Sequence, residues 1–248
     1  MERYQDKKAV IIGGTSGIGL ATAKMLVDGG ARVLVTGRSQ VGLDSTQKEL
    51  GKGVVAVSSD ARSLTDLDAL AVRAKAEFDT IDLLFVNAGF SLFAPLEHVT
   101  EATYDDMFNL NAKGPFFAVQ KLAPLITRGG SVVLTTSTAN IKGMPMIGAY
   151  GGAKAALRSF TRMFAVEFLP REVRVNAVSP GPTETPMVGK AFPNKDVAAQ
   201  LMGQMTEAIP MKRFGTSEEV AKAVLFLAFD ATDTTGAELP VDGGWSQL

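Results

Sequence analysis

Three side chains able to donate, share or steady a proton lie close together in the second half of the chain: Ser137, Tyr150 and Lys154. Tyr150 and Lys154 stand four apart in Ala149-Tyr150-Gly151-Gly152-Ala153-Lys154, which reads as the start of a helix. Residues at i and i+4 share a helix face. An unperturbed phenol, with a pKa of ~10, gives up its proton reluctantly at neutral pH, and a neighbouring ammonium favours the phenolate. Ser137 follows a β-branched run, Ser131-Val132-Val133-Leu134-Thr135-Thr136, and precedes a turn-rich segment with Gly143 and Pro145. A phenol beside an ammonium is a proton donor waiting for a substrate. Taken alone, the trio reads first as a surface tyrosine near a solvated lysine, because Tyr-x-x-x-Lys arises often by accident. The elements that position it have to decide.

Those elements alternate. Lys8-Ala9-Val10-Ile11-Ile12 is an apolar run without polar alternation, which suits a strand buried on both faces of a parallel sheet. It leads into Gly13-Gly14-Thr15-Ser16-Gly17-Ile18-Gly19 and then into a helical pattern from Leu20 that ends at Gly29-Gly30. Strand, glycine turn and helix together set backbone N–H groups and a helix N-terminus where a pyrophosphate can sit. The spacing is G-x-x-x-G-x-G rather than the G-x-G-x-x-G fingerprint. A second strand, Ala31–Thr36, ends at Gly37-Arg38-Ser39-Gln40, with no carboxylate before Asp44. At that place an acidic residue accepts from a ribose 2′-hydroxyl, whereas an arginine accommodates a 2′-phosphate. Arg38 therefore points to NADP(H), with NAD(H) as the alternative, unless it is only a solvated loop residue.

Further strands are expected at Gly53–Ser58, Ile81–Val86, Ser131–Thr136, Val173–Val178 and Ala237–Val241. Helices are expected from Leu64 (with Ser63 as N-cap), from Thr100 to Thr127 with a bend or break at Pro115, from Ala149, and from Glu218 to Phe229. Seven strands alternating with helices predict an α/β fold, a doubly wound Rossmann-like parallel sheet with helices on both faces, in one domain over 1–248.

Composition narrows the chemistry. The chain has 248 residues, 46% hydrophobic and 21% charged, with a net charge of −1. No basic field argues for nucleic acid or an anionic membrane. With no cysteine there is no disulfide or thiolate metal site, and the single histidine, His98, in an expected surface loop, leaves no His-rich metal centre. The N-terminus is polar and no long apolar run occurs, so neither a signal peptide nor a membrane span is expected, and the default location is the cytoplasm.

With its landmarks in this order, the chain resembles the short-chain dehydrogenase/reductase family over nearly its whole length. They are Gly13-x3-Gly17-Ile18-Gly19, Asp60, Asn87-Ala88-Gly89, Asn111-Ala112-Lys113-Gly114, Ser137, Tyr150-x3-Lys154, Pro180-Gly181 and Val241-Asp242-Gly243-Gly244. Two departures stand out: Ile12 where the family often has threonine, and Val86 where it often has a first asparagine. Both usual residues make structural hydrogen bonds, so the departures bear on local stability more than on chemistry.

The resemblance implies a mechanism. Tyr150 would be the general acid, Lys154 would lower its pKa and bind the nicotinamide ribose, Ser137 would polarise the carbonyl, and Asn111 would hold a water in a proton relay. It also implies cofactor contacts from Gly13, Thr15, Ser16, Gly17, Ile18, Gly19, Arg38, Ser39, Asp60, Ala61, Asn87, Ala88, Gly89, Pro180, Gly181 and Thr183, besides Tyr150 and Lys154. Asp60 would meet the adenine and Thr183 the nicotinamide carboxamide.

A stretch of about 183–213 that resembles the family's substrate-covering segment carries Met187, Val188, Phe192, Met202, Met205 and Met211, and Phe90, Phe93 and Met144 would line the other side. Methionines and aromatics make an adaptable apolar pocket, although the same residues suit a helix–helix core. An apolar lid fits a hydrophobic ketone or its secondary alcohol. A 3-oxoacyl-(acyl-carrier-protein) reductase is the alternative, with Arg128 and Arg171 where such enzymes grip the acidic carrier; these arginines also suit solvated loop ends. A non-catalytic dinucleotide-binding regulator is a third reading, weakened by the presence of both Tyr150 and Lys154. Gly151 and Gly152, with Ala153, Ala155 and Ala156, give a small-residue face for close approach of a helix or the cofactor. The family pairs this helix with the one at 100–127, and a homotetramer is expected.

Overall fold

The computed structural model describes residues 3–186 and 195–248. In chain order these form β1 (Lys8–Ile12), α1 (Gly17–Asp28), β2 (Arg32–Gly37), α2 (Gln40–Leu50), β3 (Val54–Ser58), α3 (Leu64–Phe78) and β4 (Ile81–Val86). Next come α4 (Glu101–Phe108), α5 (Gly114–Leu122), β5 (Ile126–Thr135), α6 (Gly148–Phe168) and β6 (Arg174–Pro180). The described chain ends with α7 (Lys195–Ala208), α8 (Ser217–Leu225) and β7 (Glu238–Val241). The seven strands lie in the order β3-β2-β1-β4-β5-β6-β7, and every neighbouring pair is parallel.

Alternate residues of one strand feed two different cores, which is why the strands show no polar alternation. Val10 and Ile12 of β1 pack with Leu67 and Leu70 of α3, Ala118 and Leu122 of α5 and Leu157 of α6. Ala9 and Ile11 pack with Ala23 and Leu26 of α1 and Val220 and Val224 of α8. Each fully buried aliphatic side chain contributes about 1.5–3 kcal/mol, so both faces are strongly specified. The strand order reverses between β1 and β4, and in open α/β sheets a ligand crevice opens at the carboxyl ends of strands at such a switch point.

The expected helix from Thr100 to Thr127 is not continuous. It comprises α4, a π-helical turn at Asn109–Lys113, α5 and a 3₁₀ turn at Ala123–Leu125. Thr127 belongs to β5, which starts at Ile126, five residues before the expected Ser131. The early start was hidden because the pairing with β4 jumps from Ile81↔Ile126 to Leu83↔Ser131, leaving Thr127–Gly130 as an irregular insertion with Gly129 at φ +77. Pro115 is not where the helix breaks. It occupies the first turn of α5, where a missing N–H is tolerated, and the π turn precedes it.

The two family departures carry no visible defect. Ile12 and Val86 are 1% and 2% exposed in the core. The turn is instead tied by Thr36 Oγ1, which accepts from Gly13 N, and by Asn87, whose Nδ2 donates to Gly13 O at 2.9 Å. Among the described residues no helix is long and apolar enough to cross a membrane.

Candidate active site

A cleft of about 360 Å³ runs across the carboxyl ends of the strands, from the β1–α1 turn to the chain's C-terminal turn. At one end its wall is backbone. Gly13 has φ +81, and a Cβ there would fall 2.7 Å from Ala88 Cα, so the glycine turn lies directly on the Asn87–Gly89 loop. Ser16 caps α1 in extended conformation without a side-chain bond to the helix, which leaves the first-turn N–H groups without that competitor. A helix N-terminus with free donors, approached through glycines, is a cradle for a phosphate. The residues present thus fit a dinucleotide. Thr15, Gly17, Ile18, Ala61, Ala88, Gly89, Pro180, Gly181 and Thr183 also line the cleft.

Two expected cofactor residues do other work. Gly19 does not line the cleft; a Cβ there would meet Gly13 O at 2.1 Å, so it lets α1 pack on the turn. Ser39 caps α2, its hydroxyl accepting from Gly42 N. Arg38 does line the cleft, with its side chain 59% exposed and only 3.9 Å from Asp60. Asp60 is engaged chiefly by Arg62, whose Nη2 lies 2.7 Å from Oδ2. The Arg62 guanidinium, despite opposing burial, holds the Asp60 carboxyl below its usual range. Arg38 is therefore left with a loose partner and an open approach.

The catalytic candidates converge beyond this end. Ser137 leaves β5 in extended conformation, φ −170 and ψ 150, and its Oγ accepts from Ala139 N at 3.2 Å. α6 then brings up Tyr150 and Lys154. Gly151 makes this approach feasible: a Cβ there would lie 2.8 Å from Ala139 O. The small-residue face that the sequence offered to a partner helix or cofactor is, at Gly151, the seat of the Ser137 turn, and Gly152 faces Phe108 of α4. All three of Ser137, Tyr150 and Lys154 line the cleft.

Burial pushes the Tyr150 phenol above its ordinary value, and the hydrogen bond with Ser137 opposes that push. Lys154 is 2% exposed, and burial lowers its ammonium to about 7. Its Nζ donates to Thr135 O at 2.6 Å and lies 5.7 Å from the centre of the Tyr150 ring. Burial, which spacing along a helix cannot reveal, thus acts on both groups and favours the neutral form of each.

Asn111 is fully buried in the π turn and does not line the cleft. Its side chain is committed to backbone, Nδ2 donating to Phe90 O and Met107 O while Oδ1 accepts from Phe90 N. Gly89 separates it from Lys154: a Cβ there would lie 2.8 Å from Asn111 Oδ1 and 3.4 Å from Lys154 Nζ.

At the other end the wall is apolar. Phe93, Met144 and Met205 line it. Phe90 instead packs on the main core and Met202 on a small cluster of Ile209, Phe214 and Trp245. Met187 and Phe192 lie outside the described residues. Leu110, Ile147, Phe214 and Trp245 line the cleft without having been singled out from sequence. The one available signal was Trp245, the chain's single tryptophan, next to the Asp242-Gly243-Gly244 landmark. Among the described residues no three His, Cys, Asp or Glu side chains group to hold a metal.

Comparison with known proteins agrees with this fold. A family model described as enoyl-(acyl carrier protein) reductase matches residues 13–246. Oxidoreductase asL5 of Sarocladium schorii is 36% identical, over 100% of this chain and 99% of its own. The 3-oxoacyl-(acyl-carrier-protein) reductase FabG of Thermotoga maritima is also 36% identical, over 98% of each chain. Among solved structures, levodione reductase is similar with a TM-score of 0.90 at 30% identity, over 98% of this chain and 99% of that one.

Proposed function

Because the chain belongs to the short-chain dehydrogenase/reductase family, oxidoreductases acting on alcohol and ketone groups, we propose that it reduces a hydrophobic ketone with NADP(H) and runs the reverse oxidation of the secondary alcohol. The observation that carries the reading is the convergence of Ser137, Tyr150 and Lys154 in one cleft between a glycine cradle and an apolar wall.

The nicotinamide, when bound, supplies the hydride for the carbonyl carbon. Everything else falls to the chain. Ser137 Oγ donates to the carbonyl oxygen and steadies the charge that develops there. Tyr150, kept protonated by burial, gives its phenolic proton to that oxygen, and the ketone leaves as the alcohol. Lys154, in its charged form, then favours the resulting phenolate. Reprotonation runs past Gly89 towards Asn111. With its side-chain amide committed, Asn111 offers its backbone carbonyl to a water.

Arg38, exposed and loosely paired, is the residue to take the 2′-phosphate. The carrier-protein reading is disfavoured at its two arginines. Arg171 spends Nη1 and Nη2 on the carbonyls of Ala123 and Ile126, and Arg128 pairs with Glu172. Exposed apolar side chains on α4 and α6, among them Tyr104, Met163 and Val166, support pairing of these helices between subunits of a homotetramer. A monomer in sedimentation at micromolar concentration overturns that assembly.

The test of the function is paired kinetics with NADPH and NADH over acetophenone, 2-octanone and a carrier-bound 3-oxoacyl thioester. The expected result is turnover of the free ketones with NADPH favoured. A strong preference for the carrier substrate overturns the choice of substrate, and activity unchanged in Tyr150→Phe overturns the mechanism.

A further inference from the structure

The apolar end of the cleft is closed by the C-terminal turn, and one residue of that turn is held in an unusual way. Gly243 and Gly244 both have positive φ, +62 and +86, and the Asp242 carboxylate accepts from Gly244 N and Ser246 N at 2.9 Å each. This turn directs Trp245 inward, where it is 8% exposed, packed with Ile209 and Phe214, and part of the cleft wall.

A buried indole is ordinarily oriented by its N–H, yet Trp245 Nε1 is buried without a hydrogen-bond partner. The hold comes from Lys142 instead. Its Nζ donates to Trp245 O at 2.6 Å and sits 4.0 Å from the indole ring centre. Such a cation over a tryptophan face is attractive and fixes the plane of the ring. Lys142 is not itself a lining residue, and Nε1 is buried, so the polar atom of the indole is withheld while Trp245 lines the cleft. Lys142 also lies between Ser137 and Tyr150 in the chain. The same segment that carries the reacting groups therefore also holds Trp245.

We propose that Trp245, held by Lys142, is the specificity-determining residue of this site and selects ketones whose carbonyl is attached to a flat, unsaturated ring over open-chain aliphatic ones. This rests on the reading of the apolar end as the ketone pocket. A planar group gains a stacking partner in Trp245 that an alkyl chain cannot use equally well. Stacked or edge-on aromatic pairs contribute enough beyond area burial to make about a two- to tenfold difference.

The experiment compares kcat/KM for acetophenone and 2-octanone, with NADPH, in the full-length protein and in Trp245→Ala, Trp245→Phe and Lys142→Met. The acetophenone-to-octanone ratio is expected to fall about two- to tenfold in Trp245→Ala, to be largely kept in Trp245→Phe, and to fall in Lys142→Met with the KM for NADPH unchanged. A ratio unchanged in both Trp245→Ala and Lys142→Met overturns the proposal. Because Trp245 is the only tryptophan, its emission gives a second readout that needs no turnover. In the presence of NADP+, acetophenone is expected to change it saturably and at lower concentration than 2-octanone. Should neither ketone be reduced, the proposed function fails, and the emission decides this proposal alone: no saturable change, or the same affinity for both ketones, overturns it.

Discussion

At the glycine-turn end the cleft is walled by main chain and by strand ends, and at the apolar end it is walled by side chains from segments distant in sequence. Around Gly13 the positions are fixed by hydrogen bonds that cross the sheet: Asn87 takes Thr135 Oγ1 on one side and reaches Gly13 O on the other. A substituent on Gly13 or Gly19 would strike backbone. Around Trp245 the contacts are between side-chain tips, Met144, Met205 and Phe214, that can be exchanged without moving a strand. The difference teaches where variation is tolerated. The first end can hold one kind of ligand, because its shape is the shape of the fold. The second can be redrawn residue by residue without disturbing the first.

The largest expected effect tests the floor the two ends share. Tyr150→Phe removes only the phenolic oxygen, so kcat for every ketone should fall by about 10²–10⁴, with the KM for NADPH and the melting temperature nearly unchanged. A loss confined to one ketone would make Tyr150 a residue of the apolar end instead.

Next in size is Arg38→Asp. The charge-assisted contact to a 2′-phosphate is replaced by repulsion, and kcat/KM for NADPH should fall about 10–100-fold while that for NADH is kept or improved. The acetophenone-to-octanone ratio should not move. A shift in that ratio would mean that the two ends are coupled.

A third prediction concerns pH. Burial brings the Lys154 ammonium down from 10.5 to about 7. The charged form is present below that value, so kcat/KM for ketone reduction should decline as pH rises through about 7. Tyr150, raised by burial, stays protonated across the same range and does not produce this limb. The stability sign is the reverse of that for an ion pair. The cost of burying the ammonium is complete below the folded-state value and disappears only above the unfolded-state one. Lys154→Met should therefore be inactive yet melt higher than the parent at pH 6, with the gap closing towards pH 10. A limb near 10, or a variant that melts lower at pH 6, would show that the lysine is not desolvated in solution.

The glycine end was legible in the sequence because its determinants are local. A doubly buried strand, a glycine turn and a helix are contiguous, and the parallel order of the sheet follows from the alternation of such units. What was missed has non-local causes. The π turn at Asn109–Lys113 leaves no mark in a helical pattern, and Pro115 drew attention to the wrong residue. β5 begins early because β4 lies beside it, not because Ile126-Thr127-Arg128 reads as a strand. The small-residue face at Gly151 suggests a partner helix or the cofactor, because the Ser137 turn folds back onto it only in three dimensions. Trp245 enters the cleft from the far end of the chain.

The smallest expected effect lies at that far end. Met205→Leu keeps volume and apolar character, and such exchanges usually cost less than about 1.5 kcal/mol in packing. Met205 touches the Ile209, Phe214 and Trp245 cluster from the cleft side, without a polar role. The exchange should leave the NADPH to NADH preference and the pH limb of Lys154 where they are, and shift relative kcat/KM among ketones by no more than about tenfold. Branching at Leu Cγ stiffens a wall that methionine keeps adaptable, so bulky ketones should lose more than small ones. Measured over a graded series of alkyl phenyl ketones, the loss should grow with alkyl length. An equal loss for all members would place Met205 on the shared floor beside Tyr150 rather than in a wall that can be redrawn.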